Sequence, residues 1–143
     1  MCPLDTRVHP KIDFAHRSIH GRAFHPDLLP ASKITHILYA FVNINPPGEV
    51  FSADTYADLE KHYATDSWND MGSDVYGCVK QLFLFKLKNR QLKVVLSIGG
   101  ASWSSQFATV ASFPQSRELF AHSSVTLMKD WGFDGVLRSV IRQ

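Results

Sequence analysis

Two near-continuous apolar runs, Ile34–Ile44 (ITHILYAFVNI) and Leu92–Ile98 (LKVVLSI), constrain this chain more than anything else in it. Neither alternates between apolar and polar residues. Each therefore reads as a strand buried on both faces, the pattern of parallel sheets rather than one-sided antiparallel ones. Between them Val75, Cys78, Val79, Leu82, Phe83 and Leu87 recur at three- and four-residue steps. That spacing predicts an amphipathic helix over about residues 74–89, with Asp74 as its N-cap. Gly99–Gly100 closes the second run, and Ser112 with Gln115 fits a capping box. The helix it opens carries Leu119, Phe120, Leu127, Met128 and Trp131 on one side, stops at Gly132, and gives way to a new apolar segment at Phe133. A weaker strand signal surrounds Ile12–Phe14–Ala15. Helices alternating with apolar strands imply right-handed βαβ units and a parallel sheet.

The other segments are less regular. Residues 1–11 read as an irregular leader, and Gly21–Ser32 as a loop fixed by Pro26 and Pro30, with a short helical turn at Asp27–Leu29. Asn45–Ser73 is a long connection opened by Pro46–Pro47–Gly48, with a short strand expected over Glu49–Ser52 and aromatics at Tyr56, Tyr63 and Trp68. A connection of this length is usually functional or carries minor structure of its own.

Composition narrows the partners. A chain of 143 residues, 45% hydrophobic and 20% charged, has the makings of one folded domain. A net charge of +2 with scattered Lys and Arg gives no phosphate-binding stripe, so no nucleic-acid partner is expected. No apolar run approaches a membrane span, so no membrane association is expected either. The first 30 residues are broken by Pro3, Pro10, Pro26 and Pro30 and lack an apolar signal core, which reads as a start without a secretory leader. Cys2 and Cys78 make neither a disulfide framework nor a zinc site, and Cys78 is expected as a buried free thiol. His16, His20 and His25 lie close in sequence, but no acid or cysteine completes a ligand set, so no metal is expected.

Tyr39–Ala40–Phe41 on the first run, Ser97–Ile98–Gly99–Gly100 at the end of the second, and Gly132–Phe133–Asp134–Gly135 after the last helix follow one another at a telling separation. Between and before them stand His25–Pro26, Leu29–Pro30–Ala31–Ser32–Lys33, Lys61–His62–Tyr63, Asp66–Ser67–Trp68–Asn69–Asp70 and Val75–Tyr76–Gly77–Cys78. Together these segments make residues 19–135 resemble family 18 glycoside hydrolases, the fungal-type chitinases in particular. The resemblance implies an α/β fold, a partial (β/α)8 TIM barrel holding about the first four strands with two covering helices. On that reading residues 1–11 are a leader and residues 12–143 a truncated catalytic domain, since a whole barrel takes about 250 residues.

The family's chemistry, as the resemblance implies it, is retaining hydrolysis of β-1,4-linked N-acetylglucosamine in chitin, without metal or cofactor. The substrate's acetamido oxygen attacks the anomeric carbon while one glutamic acid protonates the leaving oxygen, an exception to the two-carboxylate rule. The signature D-G-x-D-x-D-x-E spaces its acids by two residues, so that they share one face of a strand. Here Asp134 and Gly135 fill the first two places, but Leu137, Ser139 and Ile141 stand where the remaining acids belong. Asp134 is either that signature's supporting aspartate or a plain turn carboxylate. Substrate-side roles fall by resemblance on Phe41, Ser97, Gly99 and Gly100. Ala101 replaces the aromatic that often follows the glycine pair, with Trp103 as a possible sugar-stacking substitute. The first strand is altered too, with His16 and Arg17 at apolar places.

The expectation is a chitinase by lineage that does not hydrolyse chitin as this chain. Its partner by family is chitin or a chitooligosaccharide, its location by family extracellular, and exposed sheet edges invite self-association. A non-catalytic carbohydrate-binding relic is the alternative. So is an incomplete gene model of an active enzyme, because Val136–Gln143 reads as foreign to the family, as after a frameshift, a splicing difference or an early stop.

Overall fold

The computed structural model describes residues 12–16 as backbone, and residues 34–64, 66–67, 75–101 and 103–139 in full. The leader at 1–11, the turn at Asp27–Leu29, the Asp74 cap, Trp68, His20, His25 and Ile141 lie outside the described residues. Among the described residues five strands form one sheet: β1 (Ile12–His16), β2 (His36–Ile44), β3 (Val50–Phe51), β4 (Lys93–Gly99) and β5 (Gly135–Ser139). Its path runs β1-β2-β4-β5, with every pairing along it parallel; β3 adds to β2 in the antiparallel sense. Both apolar runs thus become neighbouring parallel strands, as their two-faced hydrophobicity implies.

The helices are α1 (Gly77–Lys88), α2 (Gln106–Ser112) and α3 (Pro114–Asp130). The core sits between them and one face of the sheet. Ile37, Tyr39 and Val42 of β2 lie opposite Val94, Leu96 and Ile98 of β4 and are all buried. Val79, Leu82, Trp131 and Phe133 cover them, with the Tyr39 ring edge-on to both Trp131 and Phe133.

Three local expectations are corrected. No capping box forms: Ser112 ends α2 and turns its hydroxyl back to the Ala108 carbonyl at 2.9 Å, while α3 starts at Pro114 behind Phe113. Proline at the first helical position has a preset φ and lacks the N–H that a cap would satisfy. The second difference is α2 itself, which the sequence reading left out. The third concerns α1, which starts only at Gly77: its Cys78, Val79 and Leu82 are buried, while Phe83 and Leu87, and Val75 ahead of it, are exposed. Only the stripe that meets the sheet and the long connection is covered.

That connection is anchored by a buried carboxylate. A π-helical segment, Tyr56–Glu60, places the fully buried Asp58 beneath β2. Asp58 accepts a short hydrogen bond from the Tyr39 hydroxyl and a second from Ser52 Oγ at 2.6 Å. α1 then starts against the same segment: Tyr76 N donates to the Leu59 carbonyl at 2.8 Å and Gly77 N to the Lys61 carbonyl at 2.9 Å. Gly77 has φ +62°, and a Cβ there would meet the Asp58 carbonyl oxygen at 2.4 Å, so the approach admits only glycine. Cys78 is a buried free thiol, 3.4 Å from the Tyr63 hydroxyl. Burial pushes its pKa up, and hydrogen bonds with Tyr63 and Tyr39 offset this only in part.

The Asp58 cluster gives a direct test. Tyr39→Phe removes a donor from a buried carboxylate and should cost about 1–3 kcal/mol. A urea melt reads this as a lower midpoint with an unchanged slope; an unchanged midpoint contradicts the role assigned to the pair.

Candidate active site

In parallel barrels, chemistry gathers at the C-terminal ends of the strands, where loops converge, while the opposite ends serve stability. The structure brings most of the sequence-selected residues to that C-terminal rim. Ala40 and Phe41 are joined by a cis peptide bond, and the β2–β4 register shifts between Ala40 and Val42. The Phe41 ring lies over Gly100, where a Cβ would come within 2.9 Å of its ring carbons, and Gly100 has φ +83°. Both facts require glycine there. Gly99 has φ +99°, and a Cβ on it would meet the Phe107 ring at 2.6 Å and the Ser139 carbonyl oxygen at 2.9 Å. At the glycine pair, Phe41 of β2, Ser139 of β5 and Phe107 of α2 all crowd the end of β4.

Ser97 is buried one step below the pair. Parallel register puts Ser97 opposite Leu137 and Gly99 opposite Ser139. Residues two apart on a strand share a face, so Leu137 and Ser139 project to the same side as Ser97. Those are the two signature places at which the resemblance calls for aspartate. Leu137 is 40% exposed on that face. Neither β4 (KVVLSIG) nor β5 (GVLRS) carries a carboxylate. Arg138, between Leu137 and Ser139, turns to the other face of the strand, its guanidinium 5.4 Å from the centre of the Phe107 ring of α2. Trp103, 39% exposed, stands in the turn that follows the glycine pair, where Ser104 N donates to the Gly100 carbonyl at 3.1 Å.

Asp134 is not part of this group. It precedes β5 at the N-terminal end of the sheet, about 16 Å along the strand from Ser139. Its N–H donates to the Val94 carbonyl at 2.8 Å, and its Oδ2 accepts the Val94 N–H at 2.9 Å. Lys86 Nζ lies 2.8 Å from Oδ2 and Lys93 Nζ 3.4 Å from Oδ1. Partial burial pulls the Asp134 pKa upward, but the Lys86 and Val94 hydrogen bonds and both lysine charges outweigh it, leaving the group below its ordinary value. Phe107 and the Ser139 carbonyl were missed in the sequence. Phe107 lies on the unread helix α2, and the carbonyl acts through the main chain.

The glycosyl hydrolases family 18 model matches residues 13–136. The chain belongs to this family. Over 123 residues it is 58% identical to chitinase 1 of Aphanocladium album and 54% identical to endochitinase 1 of Metarhizium anisopliae. Those alignments take in 86% of this chain and 29% of each relative, so the chain spans under a third of the length of these curated relatives. Among solved structures, a Bacillus thuringiensis chitinase superposes with a TM-score of 0.80 at 26% identity, covering 90% of this chain and 27% of that one. The catalytic domain of chitinase B from Arthrobacter TAD20 gives 0.74 at 28% identity, covering 82% and 33%. The neighbours are family 18 barrel chitinases, and the sheet here is a partial (β/α) barrel, as expected.

Two outcomes test this geometry. Asp134→Asn keeps an acceptor for Val94 but loses both lysine pairs, and should cost about 1 kcal/mol at neutral pH. Because the folded-state pKa lies below the ordinary 3.8, the advantage of the native residue is fully present above that value. It fades as pH falls through the lower folded-state pKa; denaturant melts of both proteins across acidic pH check this. Gly100→Ala forces a methyl onto the Phe41 ring at positive φ and should lower stability by about 1–3 kcal/mol, read by thermal melting.

Proposed function

We propose that this chain is the substrate-side portion of a chitinase-type catalytic domain that, as this polypeptide, does not cleave chitin. By lineage the reaction is retaining, substrate-assisted hydrolysis of β-1,4-linked N-acetylglucosamine polymers, without metal or cofactor, in an extracellular setting. Phe41, Gly99, Gly100 and Trp103 form the sugar-facing rim, and Ser97 lies beside the β5 place, now Leu137, where the family carries an aspartate. Asp134 has a supporting role at the base of that strand.

One observation carries the loss of activity: the register of β5 on β4, with Leu137 beside Ser97 and Ser139 beside Gly99. Hydrolysis of this type needs a proton donor of carboxylic acidity and carboxylates that orient the acetamide. A leucine side chain donates no proton, and a serine hydroxyl is far too weak an acid. The sequence replaces the donor itself with Ile141. The ligand class is supported by the family and by a neighbour from Ostrinia furnacalis solved in complex with allosamidin, with a TM-score of 0.71 at 25% identity.

The test is incubation of the purified 143-residue chain with a chitooligosaccharide, followed by chromatography of the sugars. The expected outcome is unchanged substrate over a time in which an intact chitinase exhausts it; released shorter sugars overturn the proposal. A chitin pull-down addresses the binding alternative, and the expected result is protein left in solution.

A further inference from the structure

Past the register shift, β2 and β3 pair as Asn43 opposite Phe51 and Ile44 opposite Val50. Ile44 and Val50 belong to the buried core, and Val50 N donates to Ser123 Oγ of α3 at 2.9 Å. Cross-strand partners share a face, and neighbours along a strand alternate between faces. Asn43 and Phe51 therefore turn to the face away from the helices, and Phe41, two residues before Asn43, shares it. One step beyond Val42 opposite Ile98, Asn43 stands level with Gly99, which is itself opposite Ser139. Phe51, Asn43, Gly99 and Ser139 thus form one row across β3, β2, β4 and β5, on the rim that holds Phe41 and Gly100.

Phe51 is the outer end of that row. It is 38% exposed, and among the described residues no aromatic ring stacks on it. Asn43 beside it accepts the Ile44 N–H on Oδ1 at 2.7 Å, and its side-chain N–H2 has no partner among the described residues. Directly opposed Cβ atoms lie about 5 Å apart and diagonal ones about 7–8 Å. The Phe51 ring is therefore next to the Asn43 amide and one diagonal step from Phe41. An aromatic face beside an amide donor suits a sugar. The ring covers the apolar C–H face of a pyranose, while the N–H2 donates to a hydroxyl or to an acetamido carbonyl oxygen.

We propose that Phe51 and Asn43 form a further sugar-contacting position, which extends the rim outward from Phe41 on the β3 side by one more residue of an N-acetylglucosamine oligomer. Phe51 meets a sugar farther from the glycine pair than the one Phe41 meets. The inference rests on the sugar-facing reading of Phe41, Gly99, Gly100 and Trp103, and it does not depend on whether the chain cleaves what it holds. Contacts from one side of a sugar give weak binding, which a pull-down loses in its washes and a titration reads at equilibrium.

The experiment is an NMR titration of the 143-residue chain with chitotetraose. Saturable shifts that include the Asn43 side-chain N–H2 are expected; Asn43 resonances that stay still while others saturate overturn the position, whatever the variants do. Phe51→Leu keeps apolar bulk but removes the ring face, and should raise the apparent Kd about five-fold. Phe51→Trp keeps a face and should bind at least as tightly as the native chain. An F51L protein that binds as the native chain does overturns the proposal. Trp103→Ala separates this inference from the reading beneath it. Binding weakened by W103A but not by F51L removes Phe51 and leaves the rim standing. No saturable shift in the native chain removes the sugar-facing rim, and this position with it.

Discussion

The parallel pairing of β2 with β4 is the contact on which every other described element depends. It runs from His36 opposite Lys93 to Val42 opposite Ile98, and it presents one continuous apolar row to the helices. α1 and the segment after α3 dock on that row, and β5 has a template only because β4 is already fixed. The register shift between Ala40 and Val42 has a local effect as well. It brings Phe41 onto the glycine pair, so the same pairing that organises the core also shapes the rim.

Asp58 shows how the long connection is tied to this centre. A buried carboxylate is stable only when its oxygens are satisfied, and Tyr39 and Ser52 supply donors from β2 and from the loop after β3. Tyr39 therefore has two duties: its ring packs on Trp131 and Phe133, and its hydroxyl holds the loop. The Asp58 main chain meanwhile presses against Gly77 and sets where α1 begins.

What the sequence disclosed follows from how local each signal is. β2 and β4 were legible because burial on both faces leaves an uninterrupted apolar run. β1 was legible more weakly at Ile12–Ala15, and its backbone pairs with β2 as expected. Helix α2 was missed because Gln106–Ser112 has only Phe107 and Val110 as large apolar residues, too few for a period. The capping box misled because Ser112 and Gln115 have the right spacing, while Pro114 between them belongs to the next helix. Asp58 was illegible: its chief partner is 19 residues earlier, and nothing near it in sequence announces burial. At the candidate site, the glycine pair and Phe41 were readable from family text, and they meet as contacts. Asp134 was readable as a motif residue, but its place at the opposite end of the strand needed three dimensions.

The two ends of β5 are fastened by main-chain atoms, at Asp134 N to the Val94 carbonyl and at Gly100 N to the Ser139 carbonyl. Backbone pairing takes no account of which side chains the strand carries. Leucine and serine can thus occupy the places of acids while the strand keeps its position on β4. Structure and chemistry are in this sense recorded on different atoms of the same five residues. A screen that reports folding alone would not register such a replacement, which only a reading of the side chains reveals.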